Sequence, residues 1–123
     1  MAKDDPGRQP FTGSCYVNSA DGESGLGDIG PVPRKKRLVV EAVSAIAVMS
    51  RSGQVYTMRI NSPFSLLMIP ILITDGPFNL RQYYATHSIR FYVEAGASLQ
   101  FQVSPVGAPC EATCYVSGYF LDV

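Results

Sequence analysis

The sequence predicts an all-β protein, a single antiparallel β-sandwich with a jelly-roll-like arrangement and an extended N-terminal arm. Apolar and polar residues alternate with a period of two, most clearly in residues 88–94 and 98–103. Turn sequences such as SRSG (50–53) and TDGP (74–77) separate these segments. No helical period is sustained over a long stretch. This combination is typical of a sandwich or a jelly roll.

The N-terminal quarter of the chain has the composition of a loop. Residues 1–33 are rich in Gly, Pro, Ser and Asp and contain too few apolar residues for a core of their own. We therefore expect a flexible or docking arm at 1–33 and a sandwich domain at 34–123. One island, FTGSCYV (11–17), suits the edge of a sheet. GLGDIG (25–30) lacks the context of a phosphate-binding loop, so it is assigned to the arm.

Strands are expected in sequence order through the rest of the chain. The segments with strand-like patterns are 38–49, 54–60, 64–73, 88–96, 98–103 and 113–123. Residues 78–87 are ambiguous, and Gly118 marks a bulge in the last strand. A helix is the alternative for residues 41–49, but β-branched neighbours and the missing N-cap favour a strand.

Two of these segments, 38–49 and 64–73, are apolar on both faces. A strand in an isolated two-sheet sandwich is expected to have one polar face. The second face therefore requires cover from the arm, a neighbouring subunit or both, because it would otherwise promote aggregation. We predict a homo-oligomer, with a trimer as the first expectation, assembled through apolar strand faces and the N-terminal arm.

The charge composition argues against a nucleic-acid partner. Of the 123 residues, 46% are hydrophobic and 16% are charged, and the formal net charge is zero. One basic run, Arg34, Lys35, Lys36 and Arg37, precedes the first β-branched stretch. The preferred interpretation is the charged beginning of a strand. Pairing with the acidic arm of a neighbour and binding of an anionic ligand are the alternatives.

The best candidate ligand site contains Tyr83 and Tyr84 together with Arg81, Gln82 and Asn79. Aromatic rings beside amide groups suit carbohydrates, because sugars present apolar C–H faces next to hydroxyl groups. The alternative is a loop whose tyrosines pack against the edge of the sandwich.

The sequence offers little for catalysis. His87 is the sole histidine, and its neighbours Thr86 and Ser88 would point to the opposite face of a strand. The carboxylates of the β region are scattered over separate segments. We therefore predict a protein that is not an enzyme and uses no cofactor.

The three cysteines are Cys15, Cys110 and Cys114. Cys110 and Cys114 could form half of a metal site, but the sequence has no second such pair and only one histidine to complete it. We interpret them as small buried residues, with a bridge from Cys15 to Cys110 or Cys114 as the alternative. No apolar leader is visible in MAKDDPGRQP, and no segment is long enough to span a membrane. The expectation is synthesis in the cytoplasm, with later release or assembly into an extracellular particle as a further option.

Three stretches resemble a group of small bacterial β-sandwich proteins: VPRKKRLVVEAVSA (32–45), HSIRFYVEAGASLQFQV (87–103) and VSGYFLDV (116–123). The resemblance implies a β-sandwich and no particular activity. In architecture, the chain is similar to trimeric jelly-roll modules such as tumour-necrosis-factor-like lectins and phage or capsid surface proteins. The predicted function is a structural or assembly module of a surface, virion-like or filament-type particle. The alternative is a lectin-like carbohydrate-binding module.

Overall fold

A computed structural model describes residues 8–62, 65–76 and 80–123 of the chain. Most of the described residues lie in β-strands, and none of them lies in a helix that could cross a membrane. The strands are β1 (Arg8–Ser19), β2 (Gly25–Ile29), β3 (Lys36–Ser50), β4 (Gln54–Ser62), β5 (Leu66–Met68), β6 (Ile71–Gly76), β7 (Leu80–Val93), β8 (Leu99–Val106) and β9 (Cys110–Asp122).

The strands form two antiparallel sheets that pack face to face. The larger sheet has the order β1-β9-β3-β7-β6, and the smaller sheet has the order β2-β8-β4-β5. When β6 is left out, this is the strand order of an eight-stranded jelly roll, and β6 extends the larger sheet by one edge strand. The all-β sandwich that the alternating pattern predicted is confirmed.

Strand β3 lies at the centre of the larger sheet, where it pairs with β7 on one side and β9 on the other. Its inward side chains, among them Leu38, Val43 and Ala45, are buried in the core. The helix considered for residues 41–49 is wrong, because the backbone groups of this segment pair with two neighbouring strands. β-branched residues favour this pleated, doubly paired position.

The core fills the space between the sheets. Phe101, Leu99 and Met58 from the smaller sheet meet Leu38 and Val93 from the larger sheet, and all five are almost completely buried. Full burial of one such large apolar side chain contributes about 1.5–3 kcal/mol relative to exposure. The alternating apolar residues of the sequence therefore form the inner faces of both sheets.

The segment 64–73 does not form the single strand that the sequence predicted. It contributes β5 to the smaller sheet and β6 to the larger sheet, with Ile69 and Pro70 between them. Proline has no backbone N–H to donate to a ladder, so the chain leaves one sheet at this point and joins the other. The ambiguous residues from Leu80 onward continue into the following segment as one strand, β7.

Residues 8–29 belong to the sheets of their own chain. The predicted strand-like island lies in β1, at the edge of the larger sheet, whereas GLGDI forms β2 instead of a flexible loop. Val17 and Ile29 are buried in the core. The glycines have a packing role, since a Cβ added to Gly25 would lie 2.0 Å from the Ser19 hydroxyl oxygen. Docking of the N-terminal segment on a neighbouring chain stays a prediction.

The predicted bulge lies opposite Gly118. The pairing of β3 with β9 shifts between Val40 and Ala42, so the extra residue is Glu41 on β3. A Cβ added to Gly118 would lie 1.9 Å from the carbonyl oxygen of Val39. Gly118 therefore allows the bulged strand to approach β9 closely.

Candidate functional site

The outward face of the larger sheet is the most distinctive exposed surface. One row of side chains crosses all five strands in register, formed by Tyr16, Thr113, Ile46, Tyr84 and Ile71. Tyr16 is 60% exposed, Ile71 63% and Ile46 37%. The sheet therefore presents a continuous apolar and aromatic row to its surroundings.

The neighbouring rows on the same side carry small and hydroxyl-bearing residues. One row contains Ser14, Tyr115, Ser44 and Thr86, and the next contains Thr12, Ser117, Ala42 and Ser88. Together with the row through Ile46 and the row of Asn18, Glu111, Val48 and Gln82, they form what we call the outer face. Short side chains such as Ala42, Ser44 and Ser117 leave a shallow depression of about 310 Å³ between Tyr84 and Tyr115.

Charge is nearly absent from the outer face. Within its four rows, Glu111 is the one Asp, Glu, Lys, Arg or His among the described residues. Hydrogen bonding to the Glu111 carboxylate raises the pKa of Tyr16 above its usual value. A surface with so little charge is weakly solvated.

At one end of the larger sheet, arginines cover the outward side chains. The Arg8 guanidinium lies 4.1 Å from the ring centroid of Tyr119 and donates a hydrogen bond of 2.9 Å to its hydroxyl oxygen. Val39 and Tyr119 are buried there, although neither belongs to the core between the sheets. Arg90 donates a hydrogen bond of 3.4 Å to the same hydroxyl. The Arg90 guanidinium also lies 3.7 Å from a carboxylate oxygen of Glu41. The outward side of β3 is thus covered at this end by its own chain and open in the middle.

The residues of the predicted ligand site do not converge. Tyr83 is buried in the core, whereas Tyr84 lies on the outer face, because successive residues of a strand point to opposite sides. Arg81 shares the inward side with Tyr83, and Gln82 shares the outward side with Tyr84. Asn79 lies outside the described residues. Ligand binding by this set stays a prediction.

The basic run begins a strand, as the sequence predicted. Lys36 starts β3 and forms an ion pair with Asp122, while Arg37 pairs with Glu94. Arg34 and Lys35 lie in the preceding turn and are exposed. Among the described residues, the carboxylates that pair with Lys36 and Arg37 come from β9 and from the residue after β7. Binding of an anion or a neighbouring chain by the run stays a prediction.

The chemical groups for catalysis are separated by the fold. His87 lies on the inward side of β7, and Thr86 and Ser88 are exposed on the outer face. Within residues 8–62, 65–76 and 80–123, no three His, Cys, Asp or Glu side chains are placed to hold a metal ion. The three cysteines are free thiols.

The sequence pattern alone did not single out Tyr16, Ile46 or Tyr115 as surface residues. The signal for them was the second apolar face of residues 38–49, which includes Ile46. Its position became informative only through the registers with β9 and β7, which bring residues distant in sequence into one row.

Comparisons with known proteins identify the fold. No family model matches the chain. No curated protein matches it either. Among solved structures, the chain is similar to a chain of the "Cyanophage Pam1 capsid asymmetric unit", with a TM-score of 0.55 and 10% sequence identity. The match covers 93% of this chain and 86% of that chain. At this identity, the likeness extends to the fold alone.

Proposed function

We propose that the protein is a non-enzymatic structural subunit that assembles with copies of itself through the outer face, as a component of a surface, virion-like or filament-type particle. The observation that carries this proposal is the row of Tyr16, Ile46, Tyr84 and Ile71 with almost no charge around it. Burial of apolar and aromatic side chains in a contact between chains releases water from them and is favourable.

The dimensions of the outer face suit a contact with a second copy. Five strands spaced about 4.8 Å apart give the larger sheet a width of roughly 20 Å. Its centre is uncharged and aromatic. Arg8, Arg90 and Glu41 lie toward one end, and Glu111 lies toward the other. Interfaces between protein chains have the same arrangement of an apolar centre and a polar rim. A trimer is the assembly state that we propose.

The likeness to a cyanophage capsid chain supports this proposal at the level of fold. Jelly rolls occur in capsid and lectin domains, so the fold is compatible with assembly but does not require it. The exposed apolar row of the outer face supports assembly independently of the fold, because it is a feature of this chain's own sequence.

The test is sedimentation of wild type and two variants over micromolar concentrations. Ile46→Lys places a charge at the centre of the outer face and should weaken assembly by at least tenfold, because the charge would have to leave water on association. Leu26→Lys is the matched control, since Leu26 is 57% exposed on β2 in the other sheet. Circular dichroism checks whether both variants keep the fold.

The expected result is an oligomer for wild type and Leu26→Lys, and dissociation for Ile46→Lys. A monomeric wild type, or an Ile46→Lys variant that keeps the wild-type mass, would contradict the proposal.

Carbohydrate binding is the second candidate, and the depression of about 310 Å³ on the outer face favours it. Tyr84 and Tyr115 provide ring faces, and Ser44 and Thr86 provide hydroxyl groups. A glycan array tests this candidate, with Tyr115→Ala as the variant. Binding that is retained in Tyr115→Ala would argue against a site in this depression.

A further inference from the structure

Cys15 and Cys114 lie directly opposite each other in the larger sheet. Strand β1 pairs with β9 over its whole length, and the register places Cys15 against Cys114. Both side chains belong to the inward side, where Cys114 is fully buried and Cys15 is half-buried. These two residues are separated by most of the sequence, so their pairing depends on the closed jelly roll.

Each of the two thiols changes the pKa of the other. A hydrogen bond with Cys114 lowers the pKa of Cys15, while burial opposes this effect. The same bond and burial raise the pKa of Cys114. Cys15 is therefore the thiol that ionises first and the one with access to solvent, and Cys114 is its buried partner.

The geometry of paired strands suits a disulfide. Residues directly opposite in an antiparallel pair have Cα atoms about 4.5 or 5.5 Å apart, and both separations lie within the range of disulfides, about 4.4–6.8 Å. Space is also available, because Gly27 of the facing sheet has no side chain and a Cβ there would lie 3.1 Å from the Cys15 sulfur.

Cys110 does not compete for this bond. It lies on the same strand as Cys114, four residues away, which corresponds to about 13 Å along an extended chain. Its partners in the neighbouring strands are Ser19 and Met49. Cys110 is 1% exposed, and burial raises its pKa to about 11.

We propose that Cys15 and Cys114 are a site of reversible oxidation, at which a small-molecule disulfide such as oxidised glutathione converts the two thiols into an intramolecular cross-link between β1 and β9. The cross-link fastens an edge strand of the larger sheet to its neighbour. This proposal is independent of the assembly surface, because both sulfurs point away from the outer face.

The reaction takes place in two exchanges. The Cys15 thiolate attacks one sulfur of oxidised glutathione, an S–S bond forms between them, and one glutathione thiolate leaves. Cys114 then attacks the Cys15 sulfur and gives its proton to the departing second glutathione. The protein loses two hydrogen atoms, and one small-molecule disulfide is reduced to two thiols.

The consequence is a more stable sandwich. Strand β1 has one neighbour in the sheet, so hydrogen bonds to β9 and core contacts hold it in place. A cross-link between residues so far apart in sequence removes many conformations from the unfolded chain. The oxidised protein should therefore melt at a temperature higher by at least about 5 °C.

The experiment compares wild type with Cys15→Ala, Cys114→Ala and Cys110→Ala after exposure of each folded protein to oxidised glutathione. Intact mass, peptide mapping without reductant and thermal melting are measured. We expect wild type and Cys110→Ala to lose two hydrogen atoms, to give a Cys15–Cys114 linked peptide and to melt higher until a reductant is added.

Cys15→Ala and Cys114→Ala should show neither the linked peptide nor the shift in melting temperature. Peptide mapping of wild type decides the proposal even if a variant folds poorly. Three thiols that remain open to alkylation after oxidation and unfolding, or a linked peptide that contains Cys110, would overturn it.

Discussion

Arg37 donates from its Nε atom to both carboxylate oxygens of Glu94, at 2.7 and 2.9 Å. The same guanidinium lies 5.4 Å from the ring centroid of Tyr92. Arg37 is the second residue of the central strand β3, and Glu94 follows the neighbouring strand β7, so this pair joins two strands at one end of the larger sheet. Together with the ion pair of Lys36 and Asp122, this contact gives two of the four basic residues in the run a carboxylate partner in the same chain.

The first prediction concerns nucleic-acid binding by the basic run. The double variant Lys35→Gln, Lys36→Gln should leave oligonucleotide binding negligible, as in wild type, because the chain has no net charge and the field of a few exposed charges is screened within about 8 Å at physiological salt. Its free energy of unfolding should change by less than about 1 kcal/mol. Fluorescence anisotropy at low salt and urea unfolding provide the two measurements.

A real nucleic-acid site would give a different result. Wild type would then bind in the submicromolar range, and its affinity would fall steeply with salt as counterions are released. Loss of that binding in the double variant would refute our interpretation of the run.

The second prediction concerns the N-terminal strands. Removal of residues 1–30 should abolish cooperative unfolding, because β1 and β2 would be lost from both sheets, together with the buried side chains of Val17 and Ile29. Circular dichroism during heating checks this expectation. A truncated chain that still melts cooperatively would show that the remaining strands form a sandwich without them.

The third prediction concerns the bulge. Gly118→Ala should lower the free energy of unfolding by more than about 2 kcal/mol, because the added Cβ would meet backbone atoms of Val39, which cannot rotate away. Ser117→Ala is the control, since Ser117 is exposed and its substitution should cost less than about 0.5 kcal/mol. Urea unfolding of both variants provides the comparison, and equal costs would contradict the role of the close approach.

The alternating pattern was sufficient to predict the fold class and most strands, because burial of one face imposes a period of two on each sequence segment. It failed at residues 25–29, where glycines that resemble loop residues permit close packing of β2. It also failed at Pro70, where the chain changes sheets. Local pattern cannot reveal these features because both depend on the position of a facing or neighbouring strand.

The candidate site was less predictable than the fold. Adjacent tyrosines suggested one cluster, yet Tyr83 and Tyr84 lie on opposite sides of β7. The exposed row contains Tyr16, Ile46 and Ile71 from three separate segments, and its continuity depends on strand register. Register between distant strands is set by the whole sandwich and is not encoded in any single segment.

The last prediction concerns Cys110 and alkaline pH. Burial raises the pKa of this thiol from 9.0 to about 11, so the folded state binds the proton more tightly than the unfolded state. The stability from this difference is fully present below pH 9 and is lost as the pH rises through 11. A shift of this size corresponds to a loss on the order of 2 kcal/mol.

Urea unfolding of wild type and Cys110→Ala at neutral pH and near pH 10.5 tests this expectation. Lysines, tyrosines and the other two cysteines titrate in both proteins, so their contributions largely cancel in the comparison. Loss of the buried sulfur should make Cys110→Ala less stable at neutral pH, since a small cavity remains. Its stability should then fall less than that of wild type at alkaline pH, because alanine has no thiol to ionise. Equal pH dependence in the two proteins would mean that the Cys110 thiol ionises as readily in the folded chain as in the unfolded one.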